Sequence, residues 1–106
     1  MDVDATVGSW TGVLKALGEP RRWRIVELLA REELCVCHIA EEIGVAQPLV
    51  SHHLKVLRDA GLVESDKHRQ WTYYQLRTSV LAELGEAIAT ITSCCPSPGE
   101  RRRPCG

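Results

Sequence analysis

The chain has 106 residues, 44% of them apolar and 25% charged, with a net charge of -1. That is enough material for one globular domain with a modest core, which gains from pairing with a second copy. No apolar run approaches the roughly 18 to 20 residues that span a membrane, and Asp2 and Asp4 stand where a secretory signal would be positive, so the expected compartment is the cytoplasm. Five cysteines in a reducing compartment point to thiols used for binding or redox chemistry rather than to a disulfide framework.

Trp10, Val13, Leu14 and Leu17 recur at helical spacing and stop at Gly18, which predicts a short first helix. Pro20 suits the first turn of a second helix, with Glu19 favourable at the positive end of its dipole and Trp23, Ile25, Val26 and Leu29 on its apolar side. A third helix is predicted from about Cys37 to Ile43, stopping at Gly44. A fourth runs from about Gln47 to Ala60, stopping at Gly61. Two short helices joined through a glycine turn form the helix-turn-helix pattern.

Leu62-Val63-Glu64 and Trp71 to Leu76 are β-prone runs flanking a charged tip, Asp66 to Gln70, and predict a hairpin. Placed after the fourth helix, such a hairpin is a wing. A last helix, from about Ser79 to Thr92, carries Val80, Leu84, Ile88 and Ile91 on one face. That stripe, with the first helix, is the expected seam of a homodimer. The fold class is therefore a mostly α winged helix-turn-helix, about five helices plus two strands, over residues 1–93. Residues 94–106 form a cysteine-containing tail.

A near-neutral charge would disfavour nucleic acid if it were uniform, because phosphate neutralisation supplies most non-specific affinity. It is not uniform. Residues 27–46 carry five glutamates against Arg31 alone, whereas residues 47–77 carry five basic residues against three acidic ones. On the fourth helix Val50, Leu54 and Leu57 form an inward stripe, while Gln47, Ser51, Lys55 and Arg58 lie along another side. Gln47 and Ser51, at the helix start, are placed to reach base edges in a major groove, with Lys55 nearer phosphate and His52 leaning outward. Lys67 and Arg69 at the wing tip are placed to straddle the adjacent backbone. His53 beside the apolar stripe is expected at the core edge.

Cys94, Cys95 and Cys105 supply three soft ligands within a dozen residues, beside Arg101, Arg102 and Arg103, which favour thiolate over thiol. This trio is the first candidate site for As(III) or Sb(III). Cys35 and Cys37 are the second, with His38 as a possible nitrogen ligand; they would have lowered thiol pKa values at a helix start. Residues two apart on a helix diverge, so joint chelation would require that start to unwind.

Val50-Ser51-His52-His53-Leu54-Lys55-Val56-Leu57-Arg58-Asp59-Ala60-Gly61-Leu62-Val63 closely resembles the recognition helix and first wing strand of the ArsR/SmtB metalloregulatory repressors. Glu33 to Cys37 resembles that family's thiol box and Trp71 to Leu76 its second wing strand, the likeness covering roughly Val13 to Ala89. The resemblance implies a homodimer that binds operator DNA and is released by a thiophilic ion. Against the family pattern, Ala40 replaces the third cysteine of the arsenic site, His38 an aspartate, Ala46 a capping serine and Arg69 a wing-tip glycine. The final helix lacks the acidic and histidine ligands of zinc, nickel and cobalt sensors, and the N-terminal cysteines of cadmium and lead sensors are missing.

The function expected from the sequence is a metalloid-responsive repressor without enzymatic activity, since Ser51, His52 and His53 lack an orienting acid. The alternatives are a cadmium- or lead-type repressor, a thiol-redox repressor of the same fold, or a thiol-rich metal-binding protein without a DNA function.

Overall fold

The computed structural model describes residues 5–96, 98, 99 and 102, and comprises five helices and a three-stranded antiparallel sheet. Helix α1 spans Ala5–Leu17, beginning earlier than the apolar spacing predicts. Its C-terminal carbonyls are capped from the next helix: Arg22 Nε donates to Ala16 O at 2.7 Å and Nη2 to Lys15 O at 3.5 Å. Helix α2, Pro20–Leu29, begins where the proline suggested. Glu19 is its N-cap, its carboxylate accepting from the N–H groups of Arg21 at 2.7 Å and Arg22 at 3.0 Å. Burial of that carboxylate works against ionisation, but the two backbone bonds and the nearby charges of His53 and Arg22 outweigh it and hold Glu19 below its usual pKa.

Strand β1 is two residues, Leu34–Cys35, and leads directly into α3, Val36–Ile43. Gly44 ends α3 in the left-handed conformation, φ 68° and ψ 36°, with its N–H on Ala40 O at 2.9 Å. Helix α4 spans Gln47–Asp59. Its N-cap, Ala46, has no side-chain acceptor, although Pro48 removes one of the N–H groups that would need a partner. Gly61, at φ 83°, turns the chain into strand β2, Val63–His68, which pairs with β3, Trp71–Leu76, from Val63↔Leu76 to His68↔Trp71. The tip is Arg69-Gln70, and Arg69 adopts φ 61°, which glycine accepts more readily. Helix α5, Thr78–Ser93, follows.

The sheet order is β1-β3-β2, so the expected two-stranded hairpin forms and the two-residue β1 adds a third strand at its base. Leu34 faces Tyr74 and Cys35 faces Tyr73 across the β1–β3 pair. Ile25, Ile39, Val50, Leu54, Leu57, Leu62 and Val63 are fully buried where α2, α3, α4 and the wing converge. Each such side chain contributes about 1.5–3 kcal/mol on burial, which is why the inward stripe of α4 cannot rotate out and its polar side remains on the surface. Leu14 on α1 and Ile88 and Ile91 on α5 remain half to two-thirds exposed. Among the described residues, no helix is long and apolar enough to cross a membrane.

Candidate metal centre and nucleic-acid interface

Cys35 is the N-cap of α3 with extended backbone, φ -92° and ψ 169°, while Cys37 lies in the first helical turn. The divergence expected of two residues on one helix therefore does not arise. The Sγ atoms are 2.9 Å apart, both as free thiols, and no unwinding is needed to bring them together. His38 joins them: its Nδ1 is 3.2 Å from Cys35 Sγ and 3.5 Å from the Cys35 N–H that points at it. An Nδ1 that accepts from this N–H must give up that long bond to become a ligand.

One ligand atom from each of Cys35, Cys37 and His38 lies within 4.8 Å of the other two. Two thiolates and an imidazole nitrogen suit a soft or borderline ion, so the donor set fits a thiophilic metalloid or metal.

The two thiols are electrostatically unequal. Burial would raise the Cys35 pKa, but the hydrogen bond from the Cys37 thiol and the N–H groups at the start of α3 overcome it and hold Cys35 below the ordinary thiol value. Cys37 is pushed up, first by its hydrogen bond to Cys35, then by burial and by the Cys35 charge. The two thiols titrate as a coupled pair, with Cys35 the more acidic member.

A surface recess of about 170 Å³ opens beside this pair, lined by Cys35, Val36, Cys37, Gln47, Trp71 and Thr72. It brings together the thiols, the first residue of α4 and the first residue of the second wing strand. Cys94 and Cys95 stand exposed just beyond α5, and Cys105 lies outside the described residues, as do Arg101 and Arg103.

Of the residues expected to face DNA, Gln47, Ser51, His52 and Lys55 are all exposed on α4, and Lys67 and Arg69 are exposed at the wing tip. Lys55 Nζ donates to Asp59 Oδ2 at 2.9 Å, one turn along the helix. His53 is buried at 5% exposure, as expected at the core edge. Its Nδ1 is 3.2 Å from Arg22 Nη1, so the guanidinium that caps α1 also holds α4. Sequence reasoning missed Arg22 in this role, and no local signal marks it, because its partner lies 31 residues away. Burial drives the His53 pKa down; the Glu19 carboxylate opposes this, while the charges of Arg22, His52 and Arg21 reinforce it.

A glycine-jointed helix pair whose second helix presents a polar exposed side, backed by a hairpin, defines a winged helix-turn-helix DNA-binding regulator. Residues 19–65 match the family described as "Bacterial regulatory protein, arsR family", and the chain belongs to that family. It is 42% identical over 73 residues to an HTH-type transcriptional regulator of Methanocaldococcus jannaschii, covering 68% of this chain and 82% of that one. It is also 42% identical over 69 residues to the arsenic resistance transcriptional regulator ArsR1 of Pseudomonas putida, covering 64% of this chain and 54% of that protein. Among solved structures, a homodimeric winged helix-turn-helix DNA-binding domain of Mycobacterium bovis superposes with a TM-score of 0.71 at 30% identity, covering 84% of this chain and 82% of that one.

Proposed function

We propose that the chain is a metalloid-responsive transcriptional repressor that binds operator DNA as a homodimer and is released when As(III) or Sb(III) is captured by its cysteine thiolates. The observation that carries this reading is the joint position of Cys35, Cys37 and His38: they lie between β1, paired to the wing, and α3, packed against α4. Replacing the 2.9 Å Sγ–Sγ contact with two bonds to one ion spreads the sulfurs and recruits His38, which shifts the start of α3 against the strand that anchors the wing, so the two DNA-facing elements lose their mutual register. The exposed apolar residues Leu14, Ile88 and Ile91 support pairing through α1 and α5, and the M. bovis domain is homodimeric.

In the DNA-bound dimer, α4 enters the major groove with Gln47 and Ser51 at base edges, His52 beside them and Lys55 toward phosphate. Lys67 and Arg69 contact the flanking backbone. Cys94, Cys95 and Cys105 form a second thiol set, past the end of α5, whose contribution the same experiment separates from that of Cys35 and Cys37.

Fluorescence anisotropy of the reduced protein on DNA from upstream of its own gene tests the proposal. The titrants are arsenite, antimonite, cadmium, zinc and peroxide. Arsenite or antimonite should release the wild type, and a Cys35→Ser/Cys37→Ser variant should bind DNA but stay bound. Full release of that variant, with loss of response in a Cys94→Ser/Cys95→Ser/Cys105→Ser variant, would move the site to the tail. Release by cadmium alone, or by peroxide with reversal by dithiothreitol, would replace the metalloid reading.

A further inference from the structure

We infer that the recess beside Cys35 and Cys37 is a subsite for the carbon substituent of a mono-organic trivalent arsenical, so that the site accepts R–As(OH)2 in addition to inorganic arsenite; this rests on the assignment of Cys35 and Cys37 as the capturing thiols. Trivalent arsenic forms three bonds, and the pair supplies two sulfurs. With inorganic arsenite the third position must be filled by His38 Nδ1 or remain a hydroxyl. In a mono-organic arsenical the third position is already an arsenic–carbon bond.

The reaction is a condensation: R–As(OH)2 and two Cys–SH give R–As(S–Cys)2 and two waters. Two As–O and two S–H bonds break, two As–S bonds form, each departing hydroxyl takes a thiol proton, and no oxidation state changes.

The substituent R then needs a place that is neither solvent nor core. The recess provides it: about 170 Å³ beside both sulfurs, with Val36 and Thr72 as apolar or half-apolar walls and Trp71 as an aromatic one. The recess is open to solvent on one side, so it would cover one face of a phenyl group, unlike an enclosed apolar cavity of about 150 Å³, which holds benzene whole. Trp71 is 48% exposed, which leaves ring surface for an aromatic group to cover. Gln47 forms part of the same wall. An occupied recess therefore places bulk directly against the first residue of the DNA-reading helix, a second route to operator release that inorganic arsenite lacks.

The test is titration calorimetry, without DNA, on the reduced full-length protein carrying Cys94→Ser, Cys95→Ser and Cys105→Ser, so that the tail thiols do not compete for the probe. The probes are phenylarsenous acid and arsenite. Phenylarsenous acid should bind about ten-fold tighter, the factor expected of an aromatic pair with its buried area. Trp71→Ala should bring the ratio of the two affinities toward one, Trp71→Phe should keep most of it, and His38→Ala should widen it by weakening arsenite alone.

Equal affinities in the parent protein, or a ratio unchanged by Trp71→Ala, would overturn the subsite while leaving Cys35 and Cys37 as the capturing thiols. Undiminished binding of either probe after Cys35→Ser/Cys37→Ser would overturn the assignment of the thiols themselves.

Discussion

Gly44 sets the angle between α3 and α4, and replacing it isolates the energetics of that joint. Its backbone sits at φ 68° and ψ 36°, yet a Cβ built there would meet nothing within 4 Å, so a substitution there brings conformational strain without a clash. A left-handed non-glycine residue costs about 1–2 kcal/mol. Restricting the unfolded chain returns about 0.4–1 kcal/mol of that, which leaves Gly44→Ala about 1 kcal/mol less stable per chain. For a domain of this size the melting temperature should fall by roughly 4–8 °C. Gly44→Asn should recover part of the loss, because asparagine tolerates the left-handed region better than alanine. Urea denaturation at fixed protein concentration measures the stability, and operator anisotropy shows whether the α3–α4 angle survives. Equal stabilities for glycine and alanine, or an asparagine variant as weak as the alanine one, would refute the argument that backbone conformation alone selects this residue.

His53 introduces a pH dependence whose sign follows from its lowered pKa. Burial above all, reinforced by the charges of Arg22, His52 and Arg21 and opposed by Glu19, disfavours the protonated ring in the folded state, so its contribution is complete above the unfolded value of about 6.5. As pH falls below that value the unfolded chain takes up the proton first, and stability should decline until the lower folded pKa is reached; His53→Gln should flatten this segment of a urea-midpoint profile against pH. Lys55→Ala should change stability by at most about 1 kcal/mol, because the pair with Asp59 is exposed. If Lys55 meets phosphate in both protomers, the slope of log affinity against log salt should shrink by about 1.8, and an unchanged slope would remove it from the interface. Ala46→Ser should stabilise the fold by no more than about 0.5 kcal/mol, because Pro48 offers no N–H and the Leu49 N–H already donates to Ala46 O at 3.0 Å; a gain well above that in the thermal midpoint would count against this accounting. Arg69→Gly should relieve about 1 kcal/mol of backbone strain at the wing tip while weakening operator binding. A raised urea midpoint together with a lowered DNA affinity is the expected signature.

The five helices, the glycine-ended helix-turn-helix and the wing strands were determined by the sequence itself, because each rests on local signals. Apolar residues repeat every three or four positions, Gly44 and Gly61 stop helices, Pro20 opens one, and two β-prone runs flank a charged tip. The buried stripe of Val50, Leu54 and Leu57 and the exposed run of Gln47, Ser51 and Lys55 follow from the same periodicity.

Other features depend on residues far apart in the chain. Cys35 is extended rather than helical because Leu34–Cys35 pairs with Tyr73–Tyr74, a contact across nearly forty residues that no local pattern encodes. That pairing leaves the Cys35 and Cys37 sulfurs 2.9 Å apart where a shared helix would make them diverge, and it brings Trp71 and Gln47 to the same recess. The Arg22–His53 bond likewise spans 31 residues. Local periodicity determines which face of an element is apolar, but the direction of a side chain at an element's boundary is settled only when a distant strand fixes the backbone there.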